Sequence, residues 1–141
     1  MNESGVSIGE ASRASGIKVP TIRYYEEIGL LPVAQRTDGN RRLYEPGDLQ
    51  RLRFIRHARE LGFEIGPIRE LLSLAGEPDN PCEGADRIAA AHLAEIDHKI
   101  SRLTALRTEI ARMTDCCNSR IEECRVIEVL GDHGECVAAE H

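Results

Sequence analysis

The long segment from residue 82 to residue 117 places the strongest constraint on the fold. Apolar or cysteine side chains recur in it at every seventh position, which is the repeat of one stripe on a coiled-coil helix. The stripe consists of Cys82, Ala89, Ile96, Leu103, Ile110 and Cys117. A second stripe runs beside it through Leu93, Ile100, Leu106 and Met113, with the drift expected of a helix that has about 3.6 residues per turn. The pattern predicts a long helix that packs against another helix.

Cysteines stand at both ends of the first stripe. In an unbroken helix Cys82 and Cys117 are about 52 Å apart, so they cannot share a site within one chain. Two such helices packed antiparallel would place Cys82 of one chain beside Cys117 of the other. Cys124 follows seven residues after Cys117, and a tight loop between them could bring it to the same place. The spacing predicts three thiols at each end of a dimer, with buried apolar cysteines as the simpler alternative.

The composition limits the classes of protein that need to be considered. A chain of 141 residues forms one domain, or a small domain with a helical arm. It has no Trp and only 4% aromatic residues, which excludes a large aromatic core. An odd count of 5 cysteines and no recognisable secretory signal favour a reducing cytoplasm, where thiols stay free for metal or redox chemistry. No run of 18 apolar residues is present, so we expect no membrane partner.

The net charge of −6 is divided unevenly along the chain. Residues 1–60 carry 10 basic and 8 acidic side chains, whereas residues 61–141 carry 8 basic and 16 acidic ones. Of the 10 basic residues in the first part, 9 are Arg, the side chain best suited to bidentate contacts with phosphate and guanine. The N-terminal part is therefore the candidate for nucleic-acid binding, although a solvated arginine face would give the same count.

Two short helices joined by a turn are predicted near the start of the chain. The capping-box pattern Ser7-Ile8-Gly9-Glu10 predicts a helix that ends near Gly16. A second helix is predicted from Pro20, a favoured first helical position, to Gly29. Two short helices around a glycine-containing turn form a helix-turn-helix.

The second helix offers a face suited to a DNA groove. Thr21, Tyr24 and Tyr25 are neighbours at positions i, i+3 and i+4, and Arg23 flanks them. Their hydroxyl groups and the guanidinium can donate to phosphates and base edges. We expect Ile22 and one of the two tyrosines to pack inward.

A wing and two further helices are predicted next. Asp38-Gly39 is a hairpin signal, and Arg36, Arg41 and Arg42 on either side of it would form a basic wing that clamps phosphates. Helices are predicted from residue 46 to about residue 61 and from residue 65 to residue 74. Arginines of the first of these could also reach the DNA backbone. The segment 76–81 is rich in Gly, Pro, Asp and Asn, and predicts a hinge.

These motifs together resemble the MerR family of transcriptional regulators. The resemblance lies in Thr21-Ile22-Arg23-Tyr24-Tyr25-Glu26, Gly29-Leu30-Leu31-Pro32, Arg42-Leu43-Tyr44 and residues 54–63. The blocks occur in the family's order and spacing, and the match extends to about Leu130. The resemblance implies a mainly α fold with a winged helix-turn-helix head at residues 1–75 and a hinge at 76–81. An antiparallel dimerisation coiled coil would follow at 82–117, and a metal-binding loop, short helix and tail at 118–141.

The resemblance also implies how such a chain acts. A homodimer binds a palindrome in double-stranded promoter DNA with an overlong spacer, and inducer binding distorts the DNA so that RNA polymerase can open it. The DNA contacts carried over from the family fall on Thr21, Arg23, Tyr24 or Tyr25, Arg36, Arg41, Arg42 and Arg56 or Arg59, with Lys18 as a further phosphate contact. Because such a protein twists its site, its specificity includes the deformability of the DNA.

A soft metal ion is the inducer that the resemblance implies. Metal-sensing members have a loop bracketed by two cysteines, which matches Cys117 and Cys124, and thiolates select soft ions such as Cd(II), Pb(II), Hg(II), Zn(II) or Cu(I). Members that sense monovalent copper or gold carry Ser at the position of Cys82, so the set Cys82, Cys117 and Cys124 implies a divalent ion. The loop of six residues is similar to those of cadmium and lead regulators. Cd(II), Pb(II) or Zn(II) is the expected effector, with Hg(II) and Cu(I) as alternatives.

Further ligands and two rival functions remain open. Cys116 precedes the stripe position, and with His133 and Cys136 of the tail it is a candidate for a second metal site, unless the tail is a disordered end. A thiol redox sensor could use a Cys116–Cys124 disulfide. An enzyme with a nucleophilic cysteine is the other rival, but the sequence positions no His or acidic partner for it. We therefore predict a regulator and not an enzyme.

Overall fold

Helices account for most of the residues described by the computed structural model, which covers residues 5–39, 41–114 and 120–131. The helices are α1 (Ile8–Ser15), α2 (Val19–Glu27), α3 (Pro46–Glu60), α4 (Ile65–Ala75), α5 (Glu83–Thr114) and α6 (Arg125–Gly131). The strands are β1 (Gln35–Arg36) and β2 (Arg42–Leu43), and a 3₁₀ turn, Ile121–Glu123, precedes α6. The predicted mainly α fold, with a helix-turn-helix head and a long helix after it, is confirmed.

The chain divides into two compact units, residues 1–88 and residues 89–141. The boundary between them lies within α5, after Ile88. The predicted hinge at residues 76–81 falls between α4 and α5, and the predicted domain boundaries around it stay a prediction. Within the described ranges no helix has both the length and the apolar character needed to cross a membrane.

Local capping sets the ends of the first two helices. Ser7 is the N-cap of α1, and its side-chain oxygen accepts a hydrogen bond from the Glu10 amide at 3.2 Å, as the capping box predicts. Gly16 ends α1 with a φ of 77°, a left-handed conformation that costs a residue with a Cβ about 1–2 kcal/mol. Helix α2 begins at Val19, one residue before the predicted start, and Pro20 lies in its first turn.

The predicted hairpin is present between α2 and α3. Strands β1 and β2 are antiparallel, with Arg36 opposite Arg42, and the Thr37 amide donates to the Arg41 carbonyl at 2.9 Å. We call β1, β2 and the described residues between them the wing. The residue after β2, Tyr44, exchanges two backbone hydrogen bonds with Val6, at 2.7 and 2.8 Å. The base of the wing is therefore joined to the start of the chain.

The core of the first unit is built from residues that are distant in sequence. Its largest fully buried side chains are Tyr44, Ile22, Leu30, Leu31, Leu52, Ile55 and Ile68. They come from α2, the segment after α2, the residue after β2, α3 and α4. Each aliphatic side chain buried in this way stabilises the fold by about 1.5–3 kcal/mol. The core forms only when all of these segments pack together. As a result, α2 and the residue after β2 are held against the same hydrophobic core.

Most of the two apolar stripes of α5 is left uncovered by the described residues of the chain. Leu93, Ile96, Ile100, Leu103 and Ile110 are all exposed, and Leu103 is 64% exposed. In the same unit, the buried apolar side chains among the described residues are Met113 near the end of α5 and Val129 on α6. The repeat that predicts the long helix therefore corresponds to a face in contact with solvent in a single chain.

Gly16→Ala is expected to lower the free energy of unfolding by about 1–3 kcal/mol, because backbone strain adds to the loss of a hydrogen bond. A Cβ at this position would collide with the guanidinium of Arg56, which donates to the Ser15 carbonyl at 3.2 Å. Gly47→Ala in the first turn of α3 is the matched control, since a methyl group there meets nothing within 4 Å. Urea unfolding of the two variants measures the difference, and equal effects would contradict this account of Gly16.

Candidate nucleic-acid interface and metal ligands

Two of the four predicted DNA-contacting side chains on α2 are exposed. Arg23 is exposed and Thr21 is half-buried. Tyr24 is 49% exposed, whereas Tyr25 is only 7% exposed and lies in the core with Ile22. The prediction that Ile22 and one of the tyrosines pack inward is confirmed. Tyr25 is removed from the candidate interface, because its buried ring cannot reach DNA without disrupting the core.

Lys18 lies directly before α2 as its N-cap residue. Its side chain is exposed and makes no capping hydrogen bond to the helix. The N-terminus of a helix carries a partial positive charge, so an ammonium group there adds to a potential that attracts phosphate. The position of Lys18 is therefore suited to the phosphate contact predicted for it.

The three wing arginines lie in different environments. Arg36 and Arg41 are exposed. Arg42 is half-buried, and its Nε lies 3.7 Å from Oε2 of Glu26. This Nε is buried and makes no hydrogen bond to any described residue, so its interaction with the carboxylate is ionic. Arg36 and Arg41 are thus the wing arginines that face solvent, and Arg42 is directed inward.

Glu26 is a buried carboxylate that joins α2 to both ends of the wing. Its Oε1 accepts a short hydrogen bond from the Tyr44 hydroxyl, after β2, and its Oε2 accepts one from the Ala34 amide at 3.3 Å, before β1. Arg42 provides the opposite charge. The Glu26 side chain is only 5% exposed, and a buried charge is tolerated only when it is paired and hydrogen-bonded. Burial, followed by the hydrogen bond to Glu26, raises the pKa of Tyr44 above its ordinary range.

Three arginines of α3 and α4 bond to carbonyl groups at or beyond the C-terminal ends of α1 and α2. The bonds run from Arg56 to Ser15 at 3.2 Å, from Arg51 to Leu30 at 2.8 Å and from Arg69 to Ile28 at 2.8 Å. The Ser15 and Ile28 carbonyls are among those that a helix leaves without partners, and a positive charge also opposes the dipole at a helix C-terminus. The arginines therefore hold the helix-turn-helix in place.

Arg56 and Arg59, both predicted as DNA contacts, are engaged within the chain. Arg56 pairs with Glu60 at 2.8 Å in addition to its bond to α1, and Arg59 donates to the Phe63 carbonyl at 3.0 Å. Both side chains are exposed, but a phosphate contact would have to compete with these bonds. The structure thus favours α2 and the wing over α3 as the candidate interface.

Two of the five cysteines, Cys82 and Cys124, lie among the described residues. Cys82 and Cys124 are free; Cys82 is exposed and its Sγ lies 3.6 Å from Oδ1 of Asp86, while Cys124 is half-buried at the start of α6. The other predicted ligands, Cys116, Cys117, His133 and Cys136, lie outside the described residues. Within the described part of one chain no three His, Cys, Asp or Glu side chains gather into a metal site. The two free thiols still have the donor chemistry that a soft ion requires.

Glu26 is the site residue that sequence reasoning missed. Helical periodicity gives a signal for it, because Glu26 lies four residues after Ile22 and next to Tyr25, and so shares the inward face of α2. Its partners Ala34, Arg42 and Tyr44 follow no local pattern. Only the packed structure brings them to the carboxylate.

Comparison with known proteins identifies the class. Residues 6–75 match the family described as MerR HTH family regulatory protein, and residues 49–113 match that described as MerR, DNA binding. The HTH-type transcriptional regulator ZntR of Escherichia coli (strain K12) is 39% identical over 127 residues, which cover 87% of this chain and 90% of that protein. Heavy metal-dependent transcription regulator 2 of Rhizobium meliloti (strain 1021) is 35% identical over 128 residues, covering 90% of this chain and 87% of that protein.

A solved structure has the same fold over nearly the same length. It is the transcription regulator PbrR691 from Ralstonia metallidurans CH34 in complex with lead(II), which matches with a TM-score of 0.78 and 36% identity. The match covers 89% of this chain and 98% of that chain. The head is thus that of a helix-turn-helix transcriptional regulator. The chain belongs to the MerR family, and the predictions of that family and of a regulator instead of an enzyme are confirmed.

Tyr44→Phe is expected to lower the free energy of unfolding at neutral pH by about 1–3 kcal/mol, because it leaves the Glu26 carboxylate without one buried donor. The raised pKa of Tyr44 means that the folded state holds the phenolic proton more tightly than the unfolded state does. The stability due to this group is therefore complete below about pH 10 and is lost as the pH rises above it.

Urea unfolding at neutral and alkaline pH tests whether the phenolic proton of Tyr44 stabilises the folded state. The stability difference between the wild-type protein and Tyr44→Phe should narrow above about pH 10. The exposed Tyr24 provides the control variant Tyr24→Phe, which removes a phenolic hydroxyl from the surface instead of the core. A Tyr44→Phe difference that does not change with pH would contradict the role of the buried hydrogen bond.

Proposed function

We propose that this chain is a metal-responsive transcriptional activator that binds a promoter palindrome as a homodimer. The main support is the match over 89% of the chain to a regulator whose crystal structure contains lead(II). The similarity to a protein named as a heavy metal-dependent regulator agrees with it. Cd(II), Pb(II) or Zn(II) is the proposed inducer, and genes for metal efflux or resistance are the proposed targets.

In the proposed DNA complex α2 enters a groove and the wing binds the backbone. Arg23 and Tyr24 are exposed on α2 and can donate to phosphates or base edges. Lys18, Arg36 and Arg41 are exposed cations that can neutralise phosphates, which makes binding dependent on salt. The positive balance of residues 1–60 within an acidic chain supports this end as the DNA-binding surface.

Arg23→Ala is expected to weaken binding to a palindromic duplex, selected from a random-sequence pool by the wild-type protein, by about 1–3 kcal/mol. Metal uptake should be unchanged, because the residue lies in the head and is exposed. Arg87→Ala, which also removes one exposed arginine but lies on α5, is the matched control. Binding isotherms at several salt concentrations measure the loss, and wild-type affinity for Arg23→Ala would exclude α2 as the contacting helix.

The uncovered stripes of α5 support the homodimer. Leu93, Ile100 and Leu103 are each more than half exposed in the single chain. Burying such side chains against a second α5 stabilises a dimer by about 1.5–3 kcal/mol per fully buried residue. An antiparallel arrangement would bring Cys82 of one chain to Cys117 of the other, as the cysteine spacing predicts.

The proposed metal ligands are Cys117 and Cys124 of one subunit and Cys82 of the other. Three thiolates leave a net charge of −1 on a divalent ion, and thiolate ligands select soft ions. The two described thiols, Cys82 and Cys124, are free to serve in this way. Because thiols lose their protons on binding, metal uptake should release protons and weaken at low pH.

Residues 118–131 are the proposed switch. Cys124 directly precedes α6, and its carbonyl accepts a hydrogen bond from the Glu128 amide at 3.0 Å. Val129 of that helix is buried. Fixing Cys124 as a ligand would therefore fix the first turn of α6. In the proposal this ordering biases the angle between the two heads, which untwists the promoter for RNA polymerase.

A thiol redox sensor is the second candidate function. It is favoured by the same observation of free thiols at Cys82 and Cys124. Such a sensor would form a disulfide, for example between Cys116 and Cys124, and would respond to peroxide without metal. Regulators that respond to Hg(II) or Cu(I) are the remaining alternatives within the family, and metal competition distinguishes them.

Cys82→Ser is expected to reduce thiolate-to-metal absorption and to abolish transcription in response to divalent ions, because one of three soft ligands is lost. The experiment titrates Cd(II), Pb(II), Zn(II), Hg(II) and Cu(I) into the reduced protein and records absorption and transcription from the selected promoter. Cys136→Ser removes a thiol outside the three proposed ligands, and a response equal to that of the wild-type protein would also exclude Cys136 from a second metal site. If Cys82→Ser also responds normally, the cross-subunit site is wrong and the copper and redox alternatives regain support.

A further inference from the structure

Glu26 attaches both ends of the wing to α2. Ala34 stands immediately before β1 and Tyr44 immediately after β2, and both donate hydrogen bonds to its carboxylate. Arg42, within β2, is the ion-pair partner at 3.7 Å. One buried side chain is thus hydrogen-bonded to the residue before β1 and to the residue after β2.

We infer that Glu26 is a positioning residue for DNA recognition, which sets the wing relative to α2 so that their exposed side chains bind DNA as one surface. The inference rests on the proposed DNA-binding function. Glu26 lies on the inner face of α2 and Tyr24 on its outer face. Fixing the wing to Glu26 therefore fixes the distance from Arg41 on the wing to Tyr24 and Arg23 on the helix.

A purely stabilising role does not account for a charge at this position. Replacing buried ion pairs by apolar side chains is often neutral or stabilising, because desolvating the charges is costly. A carboxylate near DNA also repels phosphates, so a Glu without a role in binding should weaken affinity. What the carboxylate provides, and an apolar side chain does not, is a directional attachment to two separate strands through hydrogen bonds.

The matched pair Glu26→Gln and Glu27→Gln tests the inference. Both variants remove one negative charge from the same helix, but Glu27 is exposed whereas Glu26 is buried with three partners. Loss of charge alone should leave affinity for DNA unchanged or increase it, as expected for Glu27→Gln. Glu26→Gln should instead weaken binding to the selected palindromic duplex by about tenfold, with a smaller dependence on salt, because wing contacts are lost.

A double-mutant cycle with Arg41→Ala separates positioning from stability. Arg41→Ala should weaken binding in the wild-type protein and should have a smaller effect in the Glu26→Gln protein, with a coupling of more than about twofold. Circular dichroism and thermal unfolding verify that each variant is folded. If Glu26→Gln does not fold, Tyr44→Phe replaces it, since this variant keeps the buried ring and removes only the donor to Glu26.

Each outcome has a separate meaning. Wild-type affinity of Glu26→Gln or of its substitute, or an additive cycle, would show that the carboxylate acts on stability alone and would overturn the inference. Failure of the wild-type protein to select any duplex would instead overturn the proposed function. If Arg23→Ala weakens DNA binding but Glu26 and Arg41 show no coupling, the proposed DNA-binding function stands and the positioning role of Glu26 is wrong.

Discussion

The helix-turn-helix depends on bonds that its two helices cannot make by themselves. Helices α1 and α2 have only 8 and 9 residues, and isolated helices shorter than about 12–15 residues are marginal in water. Arg56, Arg51 and Arg69 supply donors and positive charge to carbonyls at or beyond the ends of these helices. The orientation of α2, and with it every side chain that it contributes to the proposed DNA interface, therefore follows from contacts with α3 and α4.

Several arginines of the head fall into two groups with different physical roles. Four arginines of α3 and α4 are bonded to carbonyls within the chain, namely Arg51, Arg56, Arg59 and Arg69. By contrast, Arg23 and Arg41 lie on the exposed surface of α2 and the wing. A count of positive charges cannot separate these groups, because both consist of arginines and differ only in what their side chains contact in the folded structure. The number of arginines available for DNA is thus smaller than the composition suggests.

Features that depend on neighbouring residues were predictable from the sequence. The cap at Ser7, the end of α1 at Gly16 and the turn at Asp38-Gly39 each follow from local chemistry. The bond from Arg56 to Ser15 joins residues 41 positions apart, and no local pattern indicates it. The inward direction of Tyr25 instead of Tyr24 was also open, since both belong to the same helix turn and packing with Ile22 decides between them. The metal ligands remain predictions, because Cys117 lies outside the described residues.

The exposed stripes of α5 have a consequence for how the amount of this regulator affects its behaviour. A single chain leaves Ile100, Leu103 and Ile110 in water, so a partner that covers them stabilises the arm by mass action. For the proposed homodimer, the apparent stability then rises with protein concentration. A cell that makes little of the protein would hold a larger fraction of it as unpaired chains, which would lack one of the three thiols of the proposed metal site. Expression level would thus set the sensitivity of the response as well as its size.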